Sequence, residues 1–229
     1  MTELRSFDHV ALWTDERAAL AGFMLDRTGA HEIERTDDFT LIGADARRGK
    51  LTLFDADGPR DPGVLERVVL RVNDLEAATR RLGDAAVDLE RPRDGLVTFT
   101  APGGLGMGFV ENPDDVDYDL DHVVLRVPDP ALSAQGLAQL GFDRRDGVAA
   151  VADKVVRFEA GGREEGERPL LNHLAVLVDS ATAVQEEAEQ NGWQIDDVKD
   201  AANTLAVFVR GPDGIRVEYV EHKPGFALK

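Results

Sequence analysis

The chain has 229 residues, 43% of them hydrophobic and 31% charged, with a net charge of -18 at pH 7 and no cysteine. That length allows one large or two small domains, and the acidic balance excludes nucleic-acid phosphates and anionic membrane surfaces as partners. The missing cysteines exclude disulfides, thiolate nucleophiles and cysteine-ligated zinc; Met1-Thr2-Glu3-Leu4-Arg5 opens no apolar signal segment and no apolar run could span a bilayer, so a cytoplasmic protein is expected. Along the chain, Phe7-Asp8-His9-Val10-Ala11-Leu12 predicts a buried strand, Asp15 and Glu16 lead into a helix ending near Gly29, and residues 51–54 form a strand closing on Phe54. Leu65-Glu66-Arg67-Val68-Val69-Leu70 repeats the opening; Asn73-Asp74 starts a helix ending at Gly83, and a turn at Ala101-Pro102-Gly103-Gly104 precedes a strand closing on Phe109. Leu120-Asp121-His122-Val123-Val124-Leu125 is the third copy, followed by a helix from Asp129 to Gly141 and a strand closing on Phe158. Leu171-Asn172-His173-Leu174-Ala175-Val176 is the fourth, with a helix from Ser180 to Gly192, a turn at Gly211-Pro212-Asp213-Gly214 and a strand closing on Tyr219.

The repeating unit is strand-helix-strand-strand-strand, so the expected fold is α+β, with four βαβββ modules paired into two half-barrel halves. The Pro- and Asp-rich residues 113–117 read as a linker between residues 1–113 and residues 118–229. Residues 163–167, rich in Arg and Glu, read as a solvated loop, and the glycines of 103–108 lie in a turn before a strand, which does not fit a phosphate loop.

These four strand openings, the helix pattern and the terminal Gly211-Pro212-Asp213-Gly214-Ile215-Arg216-Val217-Glu218 resemble the vicinal oxygen chelate superfamily. That group includes glyoxalase I, methylmalonyl-CoA epimerase, fosfomycin- and bleomycin-resistance proteins and extradiol dioxygenases; a four-module chain is most similar to the last. The resemblance implies modules curled around a divalent metal, with ligands from first and last strands.

The third letter of the phrase is His9, Arg67, His122 and His173, and the residue before each closing aromatic is Leu53, Gly108, Arg157 and Glu218. On this alignment the second half offers His122, His173 and Glu218 as metal ligands, the two-imidazole, one-carboxylate set that suits Fe(II) or Mn(II) with open positions. The first half offers no such set, so His9 reads as structural, and His31 and His222 receive no role. Arg157 cannot serve as a fourth ligand because a guanidinium accepts nothing; it remains a candidate substrate contact, with Phe208 and Tyr219. The resemblance places catalytic His and Tyr residues where this chain has Lys154 and Phe208, leaving Lys154 as the candidate proton-handling group. The expected function is a metal-dependent dioxygenase-like enzyme acting on a small, vicinal-oxygen, aromatic substrate with O2. Alternatives are a metal-dependent lyase or isomerase of the same superfamily and a non-catalytic, resistance-type binding protein; homo-oligomerisation is left open.

Overall fold

In the computed structural model, residues 2–83, 87–93, 95–161, 168–224 and 226 are described; residues 163–167 lie outside them. Each repeat folds as the periodicity predicts. The first has β1 (Leu4–Thr14), α1 (Arg17–Phe23, continued by a π turn to Thr28), β2 (His31–Arg35), β3 (Phe39–Gly43) and β4 (Lys50–Asp55). The second has β5 (Leu65–Val72), α2 (Leu75–Leu82), β6 (Val87–Arg93), β7 (Leu96–Ala101) and β8 (Leu105–Glu111). The third has β9 (Tyr118–Val127), α3 (Pro130–Gln139), β10 (Asp143–Arg145), β11 (Val148–Val151) and β12 (Lys154–Ala160). The fourth has β13 (Leu171–Val178), α4 (Ala181–Asn191), β14 (Ile195–Asp200), β15 (Thr204–Arg210) and β16 (Arg216–His222). Asp74, Asp129 and Ser180 cap α2, α3 and α4 by accepting backbone N–H bonds. Gly29 and Gly192 end their helices at φ of 76° and 67°, a conformation glycine adopts without penalty. Among the described residues no helix is long and apolar enough to cross a membrane.

The strands form two eight-stranded sheets, ordered β14-β15-β16-β13-β1-β4-β3-β2 and β10-β11-β12-β9-β5-β8-β7-β6. The two halves are therefore not 1–113 and 118–229. The first module pairs with the fourth through antiparallel β1 and β13, and the second with the third through antiparallel β5 and β9. The connections supply the reason. Val72 of β5 lies beside both Glu111 of β8 and Tyr118 of β9, so residues 112–117 need only step over one strand within a sheet. The two crossings between sheets, near residues 61 and 169, pair with each other: Asp61 N donates to Arg168 O at 3.0 Å and Leu170 N to Asp61 O at 2.7 Å.

One apolar core joins both sheets, including Phe7, Leu12 and Val176 of the first and Val68, Met107 and Leu125 of the second. Helices also bridge them. Phe23 at the end of α1 packs against Phe99 of β7 at 6.0 Å between ring centroids, and Gly103 N donates to Glu16 Oε2 at 2.9 Å. Correspondingly, Ser133 of α3 hydrogen-bonds Asp213 in the turn before β16.

The polar second letter of the phrase has a common job in all four copies. Asp8, Glu66, Asp121 and Asn172 are each skipped in the strand register, forming a bulge. A bulge turns a side chain away from strict alternation, so each can reach the next residue on its own strand. The pairs are Asp8–His9 at 2.7 Å, Glu66–Arg67 at 3.0 Å, Asp121–His122 at 2.6 Å and Asn172–His173 at 3.1 Å.

Candidate metal centre

Pairing the first module with the fourth decides which residues meet. Ala11 of β1 lies opposite His173 of β13, and Ala175 opposite His9, so the two imidazoles project from one face as diagonal neighbours. Ala175 is also in register with Glu218 on β16. His9 Nε2 is 3.0 Å from His173 Nε2 and 3.2 Å from Glu218 Oε2, and His173 Nε2 is 2.9 Å from the same oxygen. His9, His173 and Glu218 are the one His/Cys/Asp/Glu group among the described residues spaced to hold a metal ion.

The spacing and chemistry fit a divalent ion. Donors about 2.1 Å from an ion and at right angles are about 3.0 Å apart, the separation seen here. Both rings use Nδ1 toward their bulged neighbours, Asp8 and Asn172, leaving Nε2 for the centre. Behind His9 the support is ionic. Lys50, 3% exposed, donates to Asp8 Oδ2 at 2.9 Å and to the carbonyls of Ala46 and Arg48, while His222 Nε2 lies 3.6 Å from the same Asp8 oxygen.

The electrostatics without metal follow from burial and pairing. Burial disfavours a charged His9, but hydrogen bonds to Asp8 and Glu218, with their charges, outweigh it and raise the imidazole to about 9. Burial would raise Glu218, but hydrogen bonds and charge from His173 and His9 hold it down at about 2. His173 is lowered, by burial first and also by the positive charges of His9 and Arg216. Burial opposes ionisation of Asp8 too, yet Lys50 and hydrogen bonds from His222 and His9 keep it well below the usual carboxylate range. Protonated His9 thus bonds Asp8 through Nδ1 and faces Glu218 through Nε2, the side on which a metal ion would sit.

The cluster opens into a cavity of about 400 Å³. Phe39, Leu41, Phe54, Phe208 and Val220 supply apolar walls, and His222 and Phe226, stacked at 3.7 Å, close one side. A wider groove of about 810 Å³ over Gln139, Glu186 and Trp193 contains none of these groups.

Several residues singled out from sequence lie elsewhere. His122 sits on β9 in the second sheet, 4% exposed and paired with Asp121 rather than with His173 or Glu218. Lys154, on β12, is not in the cavity: its ammonium is buried against Asp119 at 2.7 Å. Arg157 is exposed on β12. Tyr219 faces the core, stacked on Trp193 and donating its hydroxyl to Leu140 O at 2.7 Å. Phe208 does line the cavity, with its ring centroid 5.2 Å from that of His173.

Aligning the repeats on their closing aromatics also puts the first module out of step by one residue. The registers are Ala11 with Thr52, Val69 with Gly108, Val124 with Arg157 and Ala175 with Glu218. Thr52, not Leu53, is therefore the counterpart of Glu218. The same registers expose a signal present in the phrase itself. Its fifth letter is Ala11 and Ala175 in the sheet with the cavity, and Val69 and Val124 in the other. Strand alternation puts these residues on the face that carries His9, His173 and His122. The alanines put little side-chain volume beside the histidines, whereas Val69 and Val124 pack with Leu96 into a separate small cluster.

A family model for the Glyoxalase/Bleomycin resistance protein/Dioxygenase superfamily matches residues 6–116 and 119–219. No curated protein matches the sequence. Among solved structures, a putative dioxygenase from Bacillus subtilis subsp. subtilis str. 168 is similar with a TM-score of 0.79 and 17% identity, over 99% of this chain and 88% of that one. Glyoxalase I from Zea mays gives 0.73 and 16%, over 94% and 92% of the two chains. The cppA protein from Streptococcus pneumoniae TIGR4 gives 0.64 and 14%, over 96% and 98%. At these identities the likeness is one of fold.

Proposed function

The chain belongs to the Glyoxalase/Bleomycin resistance protein/Dioxygenase superfamily, and from that premise we propose that it is a metal-dependent, dioxygenase-type enzyme using His9, His173 and Glu218 to hold Fe(II) or Mn(II). Its substrate is a small aromatic compound with vicinal oxygens, and O2 is the co-substrate. The observation that carries this reading is the donor set: two imidazoles and one carboxylate within 3.2 Å of one another, with a threonine where a fourth ligand would stand. Three protein donors leave positions for a bidentate ligand, whereas a glyoxalase-type site built here would need a fourth donor at Thr52.

A divalent ion in this place supplies Lewis acidity and, for iron or manganese, access to one-electron chemistry. The chain's own residues do the rest. Asp8 and Asn172 fix the ring planes of His9 and His173. Phe39, Phe54 and Phe208 exclude water and offer flat apolar contact to an aromatic ring. His222, in the wall of the cavity beside Asp8, is the imidazole placed to exchange a proton with a bound hydroxyl. Phe208, which cannot exchange a proton, supports a second reading, a metal-dependent isomerase or lyase without O2.

Metal analysis of the purified protein, followed by oxygen uptake with a panel of catechols, tests both. The expected result is about one divalent ion per chain and uptake with at least one catechol. A metal complement without uptake favours the second reading, and a protein that takes up no divalent ion overturns both.

A further inference from the structure

We infer that Thr52 is a ligand-positioning residue: its hydroxyl donates a hydrogen bond to an oxygen of the vicinal-oxygen compound held beside His9, His173 and Glu218. This rests on the metal-centre reading above and says how that centre recognises what it binds. The first observation is register. His9 and Ala11 of β1 relate to Thr52 of β4 as His173 and Ala175 of β13 relate to Glu218 of β16. Thr52 thus occupies, in one module, the position from which Glu218 reaches the centre in the other.

The second observation is independent of the repeat. Thr52 is 6% exposed, lines the cavity, and its Oγ1 has no hydrogen-bond partner among the described residues. A buried hydroxyl left unpaired is costly, and for a residue in the cavity wall an oxygen of a bound ligand is the partner that would satisfy it. Thr40 Oγ1 is also unpartnered, but Thr40 is fully buried and does not line the cavity.

Chemistry narrows the partner. A threonine hydroxyl is neutral and a poor substitute for a carboxylate ligand, but it both donates and accepts hydrogen bonds. Facing the centre beside Phe54, it matches an oxygen carried on an apolar ring. A compound without that oxygen would leave Thr52 unpaired, which is a basis for discrimination.

The experiment uses full-length protein loaded with Mn(II) and the chromophoric diol 4-nitrocatechol, whose visible absorbance reports binding. T52V is isosteric and lacks the hydroxyl; T52S keeps it. T52V is expected to retain the metal stoichiometry and thermal transition of the parent while weakening 4-nitrocatechol about tenfold, and T52S to stay within about threefold of the parent. T52E is expected to tighten metal binding and abolish diol binding by supplying a fourth donor. Wild-type affinity for 4-nitrocatechol in metal-loaded T52V would overturn the inference while leaving the metal centre standing. A parent protein that takes up no metal, or binds the diol equally with and without it, would instead remove the reading on which the inference rests.

Discussion

His9 Nε2 lies 3.0 Å from His173 Nε2, across 164 residues of chain. The contact exists because β1 and β13, the opening strands of the first and last modules, are hydrogen-bonded neighbours. H9A is accordingly expected to lose the metal complement, as are H173A and E218A, whereas H122A should retain it. Inductively coupled plasma mass spectrometry on the four purified variants checks this. Full metal content in H9A would contradict the assignment.

Asp8 has two duties that substitution can separate. It accepts from His9 Nδ1, a task that the amide oxygen of Asn172 performs for His173, and it neutralises buried Lys50. D8A should weaken metal binding about 10- to 100-fold by releasing the ring. D8N should weaken it less but destabilise the fold by about 3 kcal/mol, because Lys50 stays buried without a counter-charge. D8N/K50M should recover part of that loss. Calorimetric metal titration and urea denaturation measure the two effects, and equal metal affinities for D8A and D8N would show that ring orientation is not the issue.

The stability of the metal-free protein should depend on pH in opposite directions on the two sides of neutrality. His9 is raised from 6.5 to about 9, so its contribution is complete below 6.5 and is lost as pH rises through 9. That contribution is at most about 3 kcal/mol. Glu218 is lowered from 4.5 to about 2, so its contribution is present above 4.5 and is lost as pH falls through 2. His173 is lowered, so the unfolded chain takes up its proton more readily and stability also drifts down below 6.5. Urea midpoints across this range should fall on the alkaline limb in the parent and be flatter there in H9A.

Lys154 is a buried cation paired with Asp119. Asp119, 2% exposed, accepts from Lys154 Nζ at 2.7 Å and from the amides of Gly49 and Leu120. Because Asp119 and Lys154 belong to the second sheet and Gly49 adjoins the first, this group ties the sheets together. K154M should destabilise by about 3–5 kcal/mol through an uncompensated buried carboxylate, with metal content unchanged. K154M/D119N should recover part of the loss, measured by the same urea series. Loss of metal binding in a folded K154M would point to a functional role instead.

Ala11 and Ala175 are buried in register with His173, His9 and Glu218. A175V adds two methyl groups next to His173 and Glu218 and should cost about 1–3 kcal/mol by overpacking, with a larger loss in 4-nitrocatechol binding. The converse change, V124A on the second sheet, should cost about 1 kcal/mol and create no metal site, because Arg67 and Arg157 occupy the matching columns. Diol titration and metal analysis of the two variants give the comparison.

Local periodicity and turn chemistry determined every module from sequence alone: the buried strand openings, the caps Asp74, Asp129 and Ser180, and the glycine helix ends, while the family resemblance singled out His173 and Glu218, two of the three residues of the candidate metal group. Those features depend on residues close along the chain. The choice of partner module does not. Four modules present equivalent opening strands, and the pattern of apolar residues is the same whichever two of them pair. Only the fold decided that residues 112–117 step within one sheet while the crossings near Asp61 and Pro169 run between sheets. That decision put His9 in place of His122 beside His173, shifted the fourth column from Leu53 to Thr52, and removed Lys154 from the cavity. The fifth letter of the repeated phrase, alanine in two copies and valine in the other two, already carried the distinction. Its meaning became physical once the sheets showed which pair lies beside the His9–His173–Glu218 group and which pair fills a core.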